Sequence, residues 1–283
     1  MSSPALARLE SLLTMRKLDH TLALSSHLPA SWNEHGFAST GSARLDEQLA
    51  GGLARRAPGG APNAAAALGA PGGLPRGQIS EIVGPRSSGR QSVLVSWFAA
   101  ATSRGELTAL VDPLDMFDPP SAAAHGVDLT RLLWVRGRAL GPQAIGLPRE
   151  AGELRVQIDR AVKALNLILQ ASGGCAGSGF GLVALDLGEV PLPVVGRLPF
   201  TTWRRLHRVI EGSETVCVVD ASEPLARSAA GITLALDRSV HAENAKVAAA
   251  LPRHLRLFPE LEIEGRAVHA RGMRTERVVL SSV

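Results

Sequence analysis

From residue 74 onward the chain alternates short apolar runs with longer segments of helical period. Residues 79–83 (ISEIV) are a short β-type run that ends in a glycine loop, and residues 90–103 then set Val93, Trp97, Ala100 and Ala101 along one side of a helix. Residues 107–111 (LTALV) read as a buried strand ending at Asp112, and residues 132–135 as another. Residues 153–171 have the period of a long amphipathic helix carrying Val156, Arg160, Lys163 and Leu167. A strand at 181–187, a helix at 201–211 and a strand at 215–219 follow, with further strand-type segments at 232–236, around 255–263 and at 277–280. Strands that alternate with helices pair in parallel and are covered on both faces. The pattern therefore predicts an α/β fold with a mostly parallel central sheet flanked by helices. Ligands in such folds bind beyond the carboxyl ends of the strands, which is where Gly84 and Asp186 fall.

The flanking segments differ from this core. Residues 4–18 place Leu6, Leu9 and Leu13 on one face, as in an amphipathic helix that docks on its own core or on another subunit. Residues 51–73 are almost entirely Ala, Gly and Pro, a composition that cannot offset the entropy of ordering, so a flexible insertion is expected there. The predicted organisation is an N-terminal helix and lead-in over 1–50, the insertion over 51–74, the core over 75–240 and C-terminal strands over 241–283.

Composition narrows the choices only a little. With 45% hydrophobic residues in 283, the chain can bury a sizeable core. Its net charge of +4 tolerates contact with nucleic acid without demanding it. Two cysteines, Cys175 and Cys217, argue against a disulfide framework, and scattered histidines give no ligand spacing, so no metal is expected. No run approaches the ~18 apolar residues of a membrane span, and a cytoplasmic protein is expected.

The candidate chemistry lies in GPRSSGRQS: Gly84, Pro85, Arg86, Ser87, Ser88, Gly89, Arg90, Gln91 and Ser92. A strand, a glycine turn and a helix start are the context of a phosphate-binding loop, in which backbone N–H groups converge on an anion at the positive end of the helix. Glycines and geometry supply that part of the chemistry, so weak ATP or ADP binding is compatible with the loop. Arg90, however, stands where the motif has lysine, and a planar fork does not replace a compact ammonium. Gln91 stands where a hydroxyl would complete a magnesium shell, and the Ser92 hydroxyl lies ~100° further round the helix. A plain strand-to-helix turn and a loop that no longer holds nucleotide are the competing readings.

Three motifs in order carry a family resemblance: GGLPRGQISEIVGPRSSGRQS, then DPLDMFDP from Asp112, then HGVDLTRLLWVR from His125. Together they resemble the core of RecA recombinases, and STGSARLDEQL from Ser39 is similar to the segment that leads into that core. The resemblance implies a RecA-like P-loop core, with an N-terminal helix and a strand-rich C-terminus, and it makes Asp186 the second metal-site acid. It also puts Leu114 where RecA carries the glutamate that activates water. Loss of such a group costs about 10²–10⁴-fold, or roughly 3–5 kcal/mol of barrier. The neighbouring Asp115 leaves the backbone in another direction. The nucleotide-sensing position falls near Ser222, and the loops that grip DNA in RecA correspond to 189–199 and 221–231, each with one arginine and no aromatic residue before Phe200. No significant hydrolysis, no catalytic residue and no required cofactor are expected.

Size, motif decay and the short C-terminus are similar to the ImuA branch of the RecA-like group. That resemblance implies a non-catalytic adaptor of damage-induced translesion synthesis, with an ImuB-like protein, RecA and an error-prone DNA polymerase as partners and only weak or indirect DNA contact. An ATP-dependent recombinase and a SulA-like cell-division inhibitor are the alternatives, and a monomer or small oligomer is expected. Candidate contact residues are Arg204, Arg205 and Arg208, which share a helix with Trp203 and His207, and Arg271, Arg274 and Arg277 near the C-terminus.

Overall fold

The computed structural model describes residues 36–43, 45, 46, 49, 72–138, 148–172, 179–226, 230–236, 263–269 and 275–280. The N-terminal helix expected at 4–18, nearly all of the insertion, and Arg271 and Arg274 lie outside these residues. A small antiparallel pair, β1 (Phe37–Ala38) and β2 (Leu74–Pro75), precedes the main sheet. The sheet itself has eight strands in the order β10-β9-β8-β3-β7-β6-β4-β5. They are β3 (Gln78–Val83), β4 (Leu107–Asp112), β5 (Leu132–Arg136), β6 (Phe180–Leu187), β7 (Val216–Ala221), β8 (Ala230–Leu236), β9 (Ile263–His269) and β10 (Thr275–Leu280). From β8 to β5 every pairing is parallel. The hairpin β9–β10 joins β8 antiparallel, extending the sheet that the sequence pattern implies.

Strand periodicity sorts the core into two layers. On β6, Leu182 and Ala184 face one way and Val183, Leu185 and Leu187 the other; on β7, Val216 and Val218 oppose Cys217 and Val219. The first layer packs on α1 (Arg90–Ser103) through Val93, Leu94, Trp97, Phe98 and Ala101. The second packs on α3 (Pro148–Ser172), α4 (Leu192–Val195) and α5 (Phe200–Ile210). Between α1 and α3 lie α2 (Pro119–Ala124) and a 3₁₀ turn, Leu129–Arg131.

Several expectations need adjustment. The face of α3 that meets the sheet is Leu154, Ile158, Ala161, Leu165, Ile168 and Leu169, whereas Val156, Arg160, Lys163 and Leu167 all point to solvent. The two sets lie on opposite sides of one helix, so the residues singled out in the sequence mark its solvent face. Leu107 is exposed at the start of β4, and β5 is only half-buried because it is an edge strand. The late strand begins at Ile263, and residues 255–262 are outside the described set. No helix among the described residues is long and apolar enough to cross a membrane.

Candidate functional site

Parallel register brings the site together. Asp186 on β6 and Asp220 on β7 are direct register partners, and Asp220 is also the partner of Ile82 on β3. Both aspartates fall on the α1 side, in phase with Leu182 and Val218. Asp112 ends β4, the next strand, on that same side. Three carboxyls thus line the carboxyl ends of three neighbouring strands, with the glycine loop beside them.

The loop makes its turn with positive φ at Ser87 (63°) and Gly89 (90°), and α1 starts at Arg90 with no side-chain cap. Gly84 is required because a Cβ there would meet the Leu236 carbonyl oxygen at 2.5 Å. Pro85, Arg86, Ser87 and Ser92 are exposed, while Gly84, Ser88 and Arg90 are buried. Arg90 turns away from the loop mouth into the protein. Its Nη1 donates to Asp220 Oδ1 at 2.6 Å and its Nη2 to the Gly188 carbonyl at 3.1 Å. A Cβ at 188 would overlap Arg90 Nη1, so a side chain there would displace the guanidinium from this seat. Gln91 Nε2 donates to Asp186 Oδ2 at 2.8 Å and to Asp220 Oδ2 at 3.0 Å, bridging the two acids. Asp186 Oδ1 also accepts from Gly188 N at 3.0 Å. Over the loop, Glu189 lies 3.7 Å from Arg90 Nη2 and 3.4 Å from Arg86 Nε. Within the loop, Ser88 Oγ and Arg90 Nε are buried with no partner among the described residues.

The electrostatics follow from burial and crowding. Burial first, then the neighbouring Asp186, pushes Asp220 up to about 8, against the opposing pull of Arg90. Asp186 is also raised, by burial first and by Asp112 as a like charge. Two acids facing one guanidinium titrate as a coupled pair, and both shifts favour the protonated form.

At the site of the expected water-activating acid, Leu114 is 5% exposed and belongs to the apolar layer under α3. Asp115, at φ 57°, donates no free carboxylate to the site: Arg136 Nε and Nη2 hold its two oxygens at 2.7 and 2.8 Å, and Arg136 also stacks 4.3 Å over Trp134. Asp112 is occupied too, accepting from Met116 N, Phe117 N and Trp134 Nε1.

On the second face, Glu81 is fully buried in the middle of β3. Its Oε1 accepts from Leu225 N and Ala226 N at 2.7 Å each, and Oε2 accepts from Thr233 Oγ1 at 3.0 Å. Burial raises its pKa above the ordinary glutamate value despite those donors. The carboxylate fastens the segment after β7 to the sheet, so the loop expected at 221–231 is anchored near its centre.

Helix α5 exposes Arg204, Arg205 and Arg208 and buries Trp203, Leu206 and Ile210. Trp203 therefore belongs to the core rather than to the basic face. Arg277 lies in β10. Asp220 and Glu189 escaped the sequence reading, although VCVVD ends in an acid after an apolar run just as LVALD does. Among the described residues no cluster of His, Cys, Asp and Glu has the makings of a metal site. Cys217 is buried and its thiol is pushed up to about 12, so it is inert.

Residues 39–158 match the family model of the RecA N-terminal domain. The chain is 32% identical over 150 residues to protein RecA of Chlorobium chlorochromatii, covering 52% of this chain and 39% of that protein. It is 36% identical over 168 residues to protein RecA of Symbiobacterium thermophilum, covering 58% and 47%. With protein RecA of Heliobacterium modesticaldum it shares 30% over 188 residues, covering 65% and 50%. The chain spans half or less of the length of these curated relatives. The matched region is RecA-like.

Proposed function

We propose that this chain is a non-catalytic RecA-like adaptor of the DNA damage response, acting in error-prone translesion synthesis in the manner of ImuA-type proteins. Its partner in that role is an ImuB-like polymerase-family protein, with RecA and an error-prone DNA polymerase as further members of the assembly. The observation that carries the non-catalytic half is Leu114: a packed aliphatic side chain stands where a water-activating acid is needed, and Asp112 and Asp115 beside it are both fully engaged. A hydrolytic step without a positioned base forfeits the largest part of its acid–base assistance.

What supports the adaptor half is the surface. On α5, Arg204, Arg205 and Arg208 fall within an arc of about 100°, all exposed and with no acidic partner in hydrogen-bonding or ion-pair reach among the described residues. A helix bearing three exposed guanidinium groups is suited to carboxylates on a partner.

The test pairs two assays on the full chain. ATP turnover is measured with and without single-stranded DNA, and capture of an ImuB-like protein is measured for the wild type and for the R204E/R205E/R208E variant. Background turnover, capture by the wild type and loss of capture by the folded variant are expected. Magnesium-dependent, DNA-stimulated turnover would install the recombinase reading in its place, and absence of capture would sink the adaptor reading.

A further inference from the structure

A glycine loop of this type ordinarily works with two things that are not part of it, a phosphate in the cradle and a magnesium ion on its hydroxyl and on a strand-end acid, and with a lysine of its own that reaches the phosphates. The residues here do not fit that set. The cation at position 90 is a fork that already spans Asp220 and the Gly188 carbonyl. The residue at 91 is an amide donor, which can bond carboxylates but cannot ligate a metal through its nitrogen. Beyond Asp220, which Arg90 already holds, the carboxylate that meets both of the loop's arginines is that of Glu189.

We infer that the loop is self-liganded: Gln91 occupies the cation's place between Asp186 and Asp220, Arg90 neutralises the buried acid pair, and Glu189 supplies the anion that faces Arg86 and Arg90. The loop is thereby a clasp joining the ends of β3, β6 and β7, and it is closed to magnesium-nucleotide.

Three independent features converge on this assignment. The register of β6 and β7 places the acids side by side, so that two carboxyls need compensation whether or not a ligand binds. Gly188 leaves room for the guanidinium in the one position from which it reaches both Asp220 and the backbone, and any larger residue would close it. Gln91 touches both carboxyls from the first turn of α1, within range that a serine or threonine hydroxyl, being shorter, does not span. The two departures from the motif at 90 and 91 are therefore a matched pair: each satisfies a carboxyl that the other leaves short. For a phosphate to enter, Glu189 must give up both arginines. For magnesium to enter, Gln91 must be expelled from two hydrogen bonds.

The inference does not depend on the adaptor reading, and its test uses no partner protein. Thermal unfolding of the full chain is followed in metal-free buffer, with magnesium-ATP and with inorganic tripolyphosphate. The wild type is expected to keep its midpoint within about 1 °C at about 1 mM of either ligand, since a ligand far below its Kd contributes nothing to stability. The R90K/Q91T variant is expected to melt lower in metal-free buffer and to recover with magnesium-ATP, because both acids then lack compensation. The single variant Q91T should show the same dependence in weaker form, so the comparison survives if the double variant does not fold. A larger rise for the wild type with magnesium-ATP, removed by Gln91→Ala, would overturn the inference. So would an R90K/Q91T variant as stable as the wild type in metal-free buffer.

Discussion

Replacing Leu114 by glutamate restores, on paper, the acid that a RecA-type hydrolase needs at that position. In this fold the change should instead destabilise the protein. Leu114 is 5% exposed and packs in the layer that includes Val111, Leu154, Ile158 and Leu187. It cannot swing outward freely, because the turn around it is held on both sides. Asp112 accepts the amides of Met116 and Phe117, and Asp115 is clamped by Arg136. Removing the leucine from that layer forfeits about 2–3 kcal/mol of apolar burial, and inserting a carboxyl without donors adds roughly 1–3 kcal/mol. The expected loss is therefore about 4 kcal/mol, a large share of the roughly 5–15 kcal/mol that holds a domain together. A buried glutamate has a raised folded pKa, so its penalty shrinks as pH falls and grows as pH rises. Urea titration followed by tryptophan fluorescence reads this directly, with Trp97 and Trp203 both buried as reporters. Leu114→Met serves as the control and should cost less than about 1.5 kcal/mol. A Leu114→Glu protein within about 1 kcal/mol of the wild type and newly active on magnesium-ATP would show that position 114 opens onto a working site, and the packing argument would fail.

Two further expectations follow from buried acids. Asp220 is pushed up to about 8 in the folded chain, above its unfolded value, so the native state binds the extra proton and stability should fall as pH rises from about 4 to about 8; urea midpoints across that range should decline for the wild type and flatten for Asp220→Asn, and an unchanged slope would show that the proton lies elsewhere. Glu81→Ala should free the amides of Leu225 and Ala226 to exchange with solvent by orders of magnitude faster while the β6 amides stay protected, and equal protection in both proteins would show that the segment after β7 is held by other means.

What was legible in the sequence was whatever short-range pattern dictates. The strand ending at Val83, the glycine turn and the helix from Arg90 to Ser103 could be placed because apolar run, glycine and 3.6-residue period each mark themselves locally. Asp186 was legible as a strand-end acid for the same reason. The buried side of α3 was not, because Val156 and Leu167 satisfy a helical repeat as well as Ile158 and Leu165 do, and only the sheet decides which repeat turns inward. Nor was the partnership of Arg90 with Asp220, which are 130 positions apart and meet because β3 and β7 are neighbours in parallel register. Glu81 gave no signal either: a charged residue inside ISEIV looks like the solvent-facing position of a half-buried strand, yet it is fully enclosed and bonded to a segment more than 140 residues away.

That distance is also the reason the clasp is informative about how the site changed. A buried ion pair is a weak source of stability in itself, since desolvation cancels most of the attraction, but removing one member leaves the other uncompensated at a cost of about 3–5 kcal/mol. Asp186 and Asp220 sit side by side by register, so neither can be left without a partner in the folded state. Lysine and threonine at 90 and 91 would leave that compensation to a bound cation and nucleotide. Arginine and glutamine provide it permanently, one by a guanidinium that fits over Gly188, the other by an amide that reaches both acids. A single step between those states passes through a protein with an uncompensated acid, which is why the two substitutions belong together. With the loop closed in this way, β3, β6 and β7 are tied at their carboxyl ends whether nucleotide is plentiful or scarce. A surface such as the arginine face of α5 is then presented without any dependence on nucleotide. The physical consequence of a self-liganded loop would be a constant scaffold in place of a nucleotide-driven switch.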